Sequence, residues 1–150
     1  MRYFKSPVRD SMFLNDITHG EIIKEISRLA PRKAASPDSI GPSLVKEFSH
    51  LFVGPLAHIY NRSLLTGTIS TKLKIAKITP IFKRGDSQCP TNYRPISLLS
   101  IFDKIFEKII CRRLISFLER YNFLYEFQFG FRKNCTTTLA LIEITDEIYK

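Results

Sequence analysis

Between Ile101 and Tyr121 large apolar residues recur at Ile101, Phe102, Ile105, Phe106, Ile109, Leu114, Phe117, Leu118 and Tyr121. This spacing follows the α-helical period and lays the side chains along one stripe. A helix with such a stripe must bury it, so the remainder of the chain, or a neighbour, has to supply an apolar partner. Asp103 stands early in this segment, where a carboxylate favours a helix N-terminus.

The flanking sequence supplies further elements. Thr18-His19-Gly20-Glu21 has the pattern of a capping box, with Ile22, Ile23, Ile26 and Leu29 at helical spacing behind it. That helix should stop before Pro31. The stretch KAASPDSIGP then reads as a loop, in which Asp38 caps the following turn through its carboxylate. Two helical patterns follow, about Ser43 to Phe52 and about Pro55 to Leu65, with Gly67 placed to end the second.

From Lys74 to Phe82 the residues are β-branched and partly alternating. Arg84-Gly85-Asp86-Ser87 supplies a turn, and Asn92 to Leu99 returns as a second strand. Each strand holds a proline, Pro80 or Pro95, which cannot donate to a ladder. The hairpin should therefore be an edge or free-standing one. A final helix is expected over Thr136 to Tyr149. The fold class is thus α+β, mostly helical, with one β-hairpin.

A chain of 150 residues, 44% apolar, fits one domain. It has no apolar run long enough for a membrane span, and its first residues lack a signal-peptide pattern, so no membrane association is expected. Cys89, Cys111 and Cys135 are odd in number and unpaired in spacing, and His19, His50 and His58 do not cluster with them. Neither a disulfide framework nor a metal site is favoured. Reduced thiols in the cytoplasm or nucleus are the default.

The net charge of +9 is unevenly placed. Between Lys72 and Lys133 there are 13 Lys/Arg against five Asp/Glu, while residues 134–150 carry one against three. The basic block also contains Phe82, Tyr93, Phe127, Phe129 and Phe131. Cations neutralise phosphates and interleaved aromatics stack on bases, so a nucleic-acid partner fits. A solvated cationic face around core aromatics fits the composition equally. Lys104, Lys108, Arg112, Arg113 and Arg120, beside the polar face of the long helix, are explained by solvation alone.

Four segments occur in order: KAASPDSI, AKITPIFKRGD, NYRPISLLSIFDKIFEKII and QFGFRKNCTT. Together they resemble the N-terminal reverse-transcriptase motifs of non-LTR (LINE or jockey-like) retrotransposon polymerases. The likeness runs over residues 18–150, a partial reverse-transcriptase domain, and leaves residues 1–17 unassigned. Ser36 and Ser39 stand where that family commonly has glycine, Ser70 where proline is usual, and Cys135 where histidine is frequent.

The resemblance implies the fingers subdomain of a right-hand polymerase, truncated before the palm catalytic motifs. The parent activity would be RNA-directed DNA synthesis, using two Mg²⁺ ions held by aspartates of motifs F-x-D-x-x-K-A-F-D and Y-A-D-D. Neither motif is in this chain, which should bind no cofactor itself and should not polymerise alone. By motif order Lys83 and Arg94 would contact the incoming nucleoside triphosphate. Gln128, Gly130, Arg132 and Lys133 would lie by the template. RNA template, DNA primer, deoxynucleotides and the palm would be the partners. The alternatives are an inert nucleic-acid-binding fragment, or a degenerate or host-retained helical interaction module.

Overall fold

The computed structural model describes residues 11–30, 38–125 and 127–149. Its elements are α1 (His19–Ser27), α2 (Pro42–Glu47), α3 (Ser49–Thr66), β1 (Ala76–Phe82), β2 (Tyr93–Leu99), α4 (Ile101–Arg120) and α5 (Thr137–Ile148), with single 3₁₀ turns at Thr71–Lys74 and Pro90–Asn92. The chain divides inside α4 into two units, one of Phe13–Arg113 and one beginning at Leu114.

In the first unit α1 starts as its sequence dictates. The Thr18 hydroxyl accepts from the Glu21 N–H, and the Glu21 carboxylate accepts from the Thr18 N–H, which satisfies two otherwise orphaned donors. The extended residues before it are held by Asn61 of α3, whose amide accepts from Ile17 N (2.6 Å) and donates to Ile17 O (3.1 Å). Ile17, Ile22, Ile26 and Leu29 then meet Val45 of α2, Val53, Leu56, Ala57 and Tyr60 of α3, and Ile101, Ile105, Phe106 and Ile109 of α4 in one buried cluster. Tyr60 is fully buried, stacks on Phe106 (4.8 Å between centroids) and donates to Phe102 O at 2.6 Å, so its hydroxyl has a partner.

Two expectations are corrected here. The helical break lies at Phe48, not between Phe52 and Pro55, and α3 runs through Pro55 to end on Gly67 in the left-handed region (φ 66°). Proline costs a helix interior an N–H and clashes with the residue before it, partly through that residue's Cβ. Here the preceding residue is Gly54, which has none. Secondly, only the first half of the apolar stripe is buried in this unit. Leu114 is 43% exposed, and Phe117, Leu118 and Tyr121 are half-buried.

In the second unit α4 ends in a Schellman arrangement. Asn122 takes a positive φ of 50°, its N–H donates to Glu119 O, and Phe123 N donates to Leu118 O at 2.9 Å. The Phe123 ring sits 5.9 Å from Phe117. After a loop, α5 is capped by the Thr136 hydroxyl, which accepts from Leu139 N at 3.2 Å. No residue of α5 is buried.

Candidate nucleotide- and nucleic-acid-binding surfaces

Strands β1 and β2 form a two-stranded antiparallel sheet and pair with no third strand among the described residues. The register sets Pro80 opposite Pro95, Ile81 opposite Arg94 and Phe82 opposite Tyr93. Lys83 N donates to Asn92 O at 2.8 Å, which continues the ladder one pair past the strands and fixes its alternation. Counting back, Pro80 and Pro95 fall in a non-hydrogen-bonded pair, where neither missing donor was needed between the strands.

The same alternation sorts the side chains. Lys77, Thr79, Ile81 and Lys83 share a face with Leu98, Ile96, Arg94 and Asn92. The opposite face holds Ala76, Ile78, Pro80 and Phe82 against Leu99, Ser97, Pro95 and Tyr93, and carries no charge. Lys83 and Arg94 are both exposed and stand on one face as diagonal neighbours, a relation that spaces Cα atoms about 7–8 Å apart.

The connection between the strands is tied by its own polar groups. Asp86 Oδ1 accepts from Gln88 N (2.9 Å), Asp86 O accepts from Cys89 N (3.2 Å) and from Asn92 Nδ2 (2.9 Å), and Tyr93 Oη donates to Ser87 O (2.7 Å). Gly85 has φ 90°, and a Cβ there would lie 2.8 Å from Asn92 Nδ2, so only glycine fits this turn. Thr91 hydrogen-bonds the Cys89 thiol through its hydroxyl and its N–H, which pulls the thiol below its ordinary range.

Gln128, Gly130, Arg132 and Lys133 occupy one loop of the second unit. The Tyr125 carbonyl organises it, accepting from Gln128 N (3.0 Å) and from Arg132 Nη1 (3.1 Å). Gln128 Nε2 reaches Gly130 O at 3.4 Å. Arg132 is therefore half-buried and internally bonded, while Lys133 is exposed. Gly130 has open space where a Cβ would stand. Phe131 is fully exposed with φ 62°, a strained conformation for an aromatic residue. Nothing in its sequence neighbourhood announced that strain.

Two helix cations assigned to solvation have other employment. Arg112 pairs with the buried Glu25, which also meets Arg28 at 3.4 Å. Arg113 makes a fork on Glu21, Nε to Oε1 at 3.0 Å and Nη2 to Oε2 at 2.8 Å, and donates to the carbonyls of Asn15 and Asp16. The Arg113 hydrogen bond holds the Glu21 carboxyl below its usual value, with burial pulling the other way. Lys108 and Arg120 remain exposed.

Asp38 and Asp103 also have structural settings. Asp38 Oδ1 accepts from Ile40 N at 3.1 Å, the expected turn cap. Asp103 is buried at the start of α4, and desolvation, then the nearby Glu107, raise its carboxyl above the usual range. Among the described residues no group of three or more His, Cys, Asp or Glu could hold a metal ion. The side chains described thus do not fit a two-ion centre. No described helix is long and apolar enough to cross a membrane.

The chain is 31% identical over 145 residues to a probable RNA-directed DNA polymerase from transposon BS of Drosophila melanogaster, a match covering 96% of the chain and 16% of that protein. It is 32% identical over 131 residues to the RNA-directed DNA polymerase from mobile element jockey of the same species, and 30% over 129 residues to that of transposon X-element, each covering 14% of the relative. No protein-family model matches. Over most of its length the chain is homologous to RNA-directed DNA polymerases of non-LTR retrotransposons. It spans less than a fifth of the length of these relatives.

Proposed function

We propose that this chain is the fingers portion of a non-LTR retrotransposon reverse transcriptase, residues 18–150 forming part of that domain. In this reading it supplies contacts to the incoming nucleotide and the template and lacks the carboxylates for phosphoryl transfer. The observation that carries the reading is the placement of Lys83 and Arg94 on one exposed face of the β1–β2 hairpin. A triphosphate carries up to about four negative charges; arginine can grip it through two N–H groups and lysine acts as a point charge beside it. The self-tied 83–92 connection would hold both cations in place without the ligand.

Template contact falls to the Gln128–Lys133 loop, with Lys133 as the free cation and Phe131 as a stacking surface. Arg132, bonded to Tyr125 O, acts mainly by holding the loop. RNA, DNA primer and a palm segment would be the partners in the complete enzyme. Two metal ions would be bound by that palm segment, and no residue described here is assigned to them.

The test is fluorescence anisotropy with a labelled deoxynucleoside triphosphate at low salt. Wild-type chain should bind, and Lys83→Ala or Arg94→Ala should each weaken binding about 10-fold or more, the range for charge-assisted bonds. Wild-type affinity retained in both variants would remove the hairpin from the nucleotide site.

A further inference from the structure

The hairpin has a second side. Pro80 and Tyr93, diagonal neighbours on its uncharged face, join Ser87, Gln88 and Pro90 of the 83–92 connection around a pocket of about 320 Å³. Lys83 and Arg94 stand on the other face, so the pocket lies apart from the two cations proposed for the triphosphate. Its walls are one aromatic ring and two proline rings, with Ser87 and Gln88 adding polar groups.

The pocket is preformed. Tyr93 Oη donates to Ser87 O at 2.7 Å, and its ring meets Phe82 edge-on at 5.5 Å between centroids, so the ring is held at two points. Gln88 N donates to Asp86 Oδ1, which fixes the backbone and leaves the exposed side-chain amide to offer both a donor and an acceptor. A fixed aromatic wall beside ring hydrocarbon, with one amide at the edge, is the chemistry that takes a nucleobase. Stacking holds the base, and the amide can bond two neighbouring atoms of its edge, as glutamine does on adenine. Small-molecule sites begin at about 300 Å³, so this one suits a mononucleotide rather than a larger cofactor.

The nearby charge indicates what the base is attached to. Arg84 is exposed and makes no ion pair among the described residues. It stands three residues before Ser87, so their Cα atoms are at most about 11 Å apart. A phosphate on the sugar of a seated base is therefore within reach of a guanidinium, which can bind it through two N–H groups. Asp86, the carboxylate between them, is engaged by Gln88 N.

We propose that this pocket binds a nucleotide unit, adenine preferred, with the base against Tyr93 and the two prolines, its edge on Gln88 and its phosphate on Arg84. The same chemistry serves a free mononucleotide and an unpaired residue of a strand.

Saturation-transfer NMR on the 150-residue chain with AMP, adenosine, ribose 5-phosphate and hexa-adenylate tests this. AMP should bind through its adenine protons, adenosine more weakly, and ribose 5-phosphate not measurably. Ser87→Trp fills the pocket, and Gln88→Ala removes a side chain that carries no hydrogen bond among the described residues. Each should weaken AMP about 5-fold or more, the scale of a lost base contact. Arg84→Ala should weaken AMP and leave adenosine unchanged. Tighter binding of hexa-adenylate than of AMP makes the source a strand, and equal binding makes it a free nucleotide. The proposal is overturned by no AMP binding at millimolar concentration, or by ribose 5-phosphate binding as tightly as AMP. AMP affinity unchanged in both Ser87→Trp and Gln88→Ala would also overturn it, as would loss of AMP in Lys83→Ala, which would put the ligand on the charged face.

Discussion

Asp38 and Ser100, 62 positions apart, are joined by a 2.7 Å hydrogen bond from the Ser100 hydroxyl to Asp38 Oδ2. The same hydroxyl oxygen accepts from Phe102 N at 3.3 Å, so one serine caps α4 and ties it to the 38–41 turn. Because Asp38 Oδ1 is already bonded to Ile40 N, the carboxylate bridges two backbone elements. Ser100→Ala and Asp38→Ala should each cost about 1–2 kcal/mol, the range for lost caps and charged hydrogen bonds. Urea denaturation of both single variants and the double variant checks this. Fully additive losses would show that the two residues do not act together.

Ser39, next in the chain, has φ 61°. Serine pays for left-handed backbone and glycine does not. Ser39→Gly should therefore stabilise the chain by roughly 0.5–1 kcal/mol. The urea midpoint should rise; an unchanged or lower midpoint would contradict the strain.

The Glu21–Arg113 fork makes stability depend on acidity in a definite direction. Glu21 ionises at lower pH when folded than when unfolded, so its contribution is present above the unfolded value, about 4.3. It is lost as pH falls through the lower folded value. Glu21→Gln keeps the capping geometry and removes the charge. Stability of the variant should be lower at pH 7, and the difference from wild type should shrink steadily below pH 5. A difference that stays constant with pH would assign the fork no electrostatic role.

The Cys89 thiol, pulled down by Thr91, should alkylate with iodoacetamide faster than the exposed Cys111 at pH 7.5, since the thiolate is the nucleophile. Thr91→Val should slow Cys89 and leave Cys111 alone. Peptide mapping by mass spectrometry distinguishes the two sites.

Apolar surface sets the last expectation. Leu141, Ile144, Ile148 and Tyr149 are each more than half exposed. Burying a large apolar side chain is worth roughly 1.5–3 kcal/mol, against a total stability of about 5–15 kcal/mol for a domain. The 150-residue chain should melt broadly and self-associate. A monomer with a cooperative transition above about 55 °C would show the fold to be self-sufficient.

Local signals in the sequence were the readable ones. The Thr18–Glu21 capping box, the Gly67 helix stop and the two-stranded, proline-bearing hairpin, which pairs with no third strand among the described residues, all depend on residues near each other in the chain. Pairing Lys83 with Arg94 followed from motif order, and their common face needed the register. What stayed hidden was long-range. No periodicity reveals that Arg112 and Arg113 are spent on Glu25 and Glu21, or that Ser100 meets Asp38. Passage of α3 through Pro55 depended on whether Gly54 relieved a clash, which proline propensity alone does not decide.

The opposed prolines of the hairpin bear on how the protein behaves in a crowd. In a non-hydrogen-bonded pair each residue turns its amide position outward, so Pro80 interrupts the outer rim of β1 and Pro95 that of β2. An exposed ribbon with Ile78 and Phe82 on its surface would otherwise invite strands from other copies to zip along it, the first step toward fibrils. With a ring projecting midway along either rim, no incoming strand can complete its row of amide bonds. With no third strand beside it among the described residues, the ribbon can leave both rims unpaired and still decline to seed aggregation.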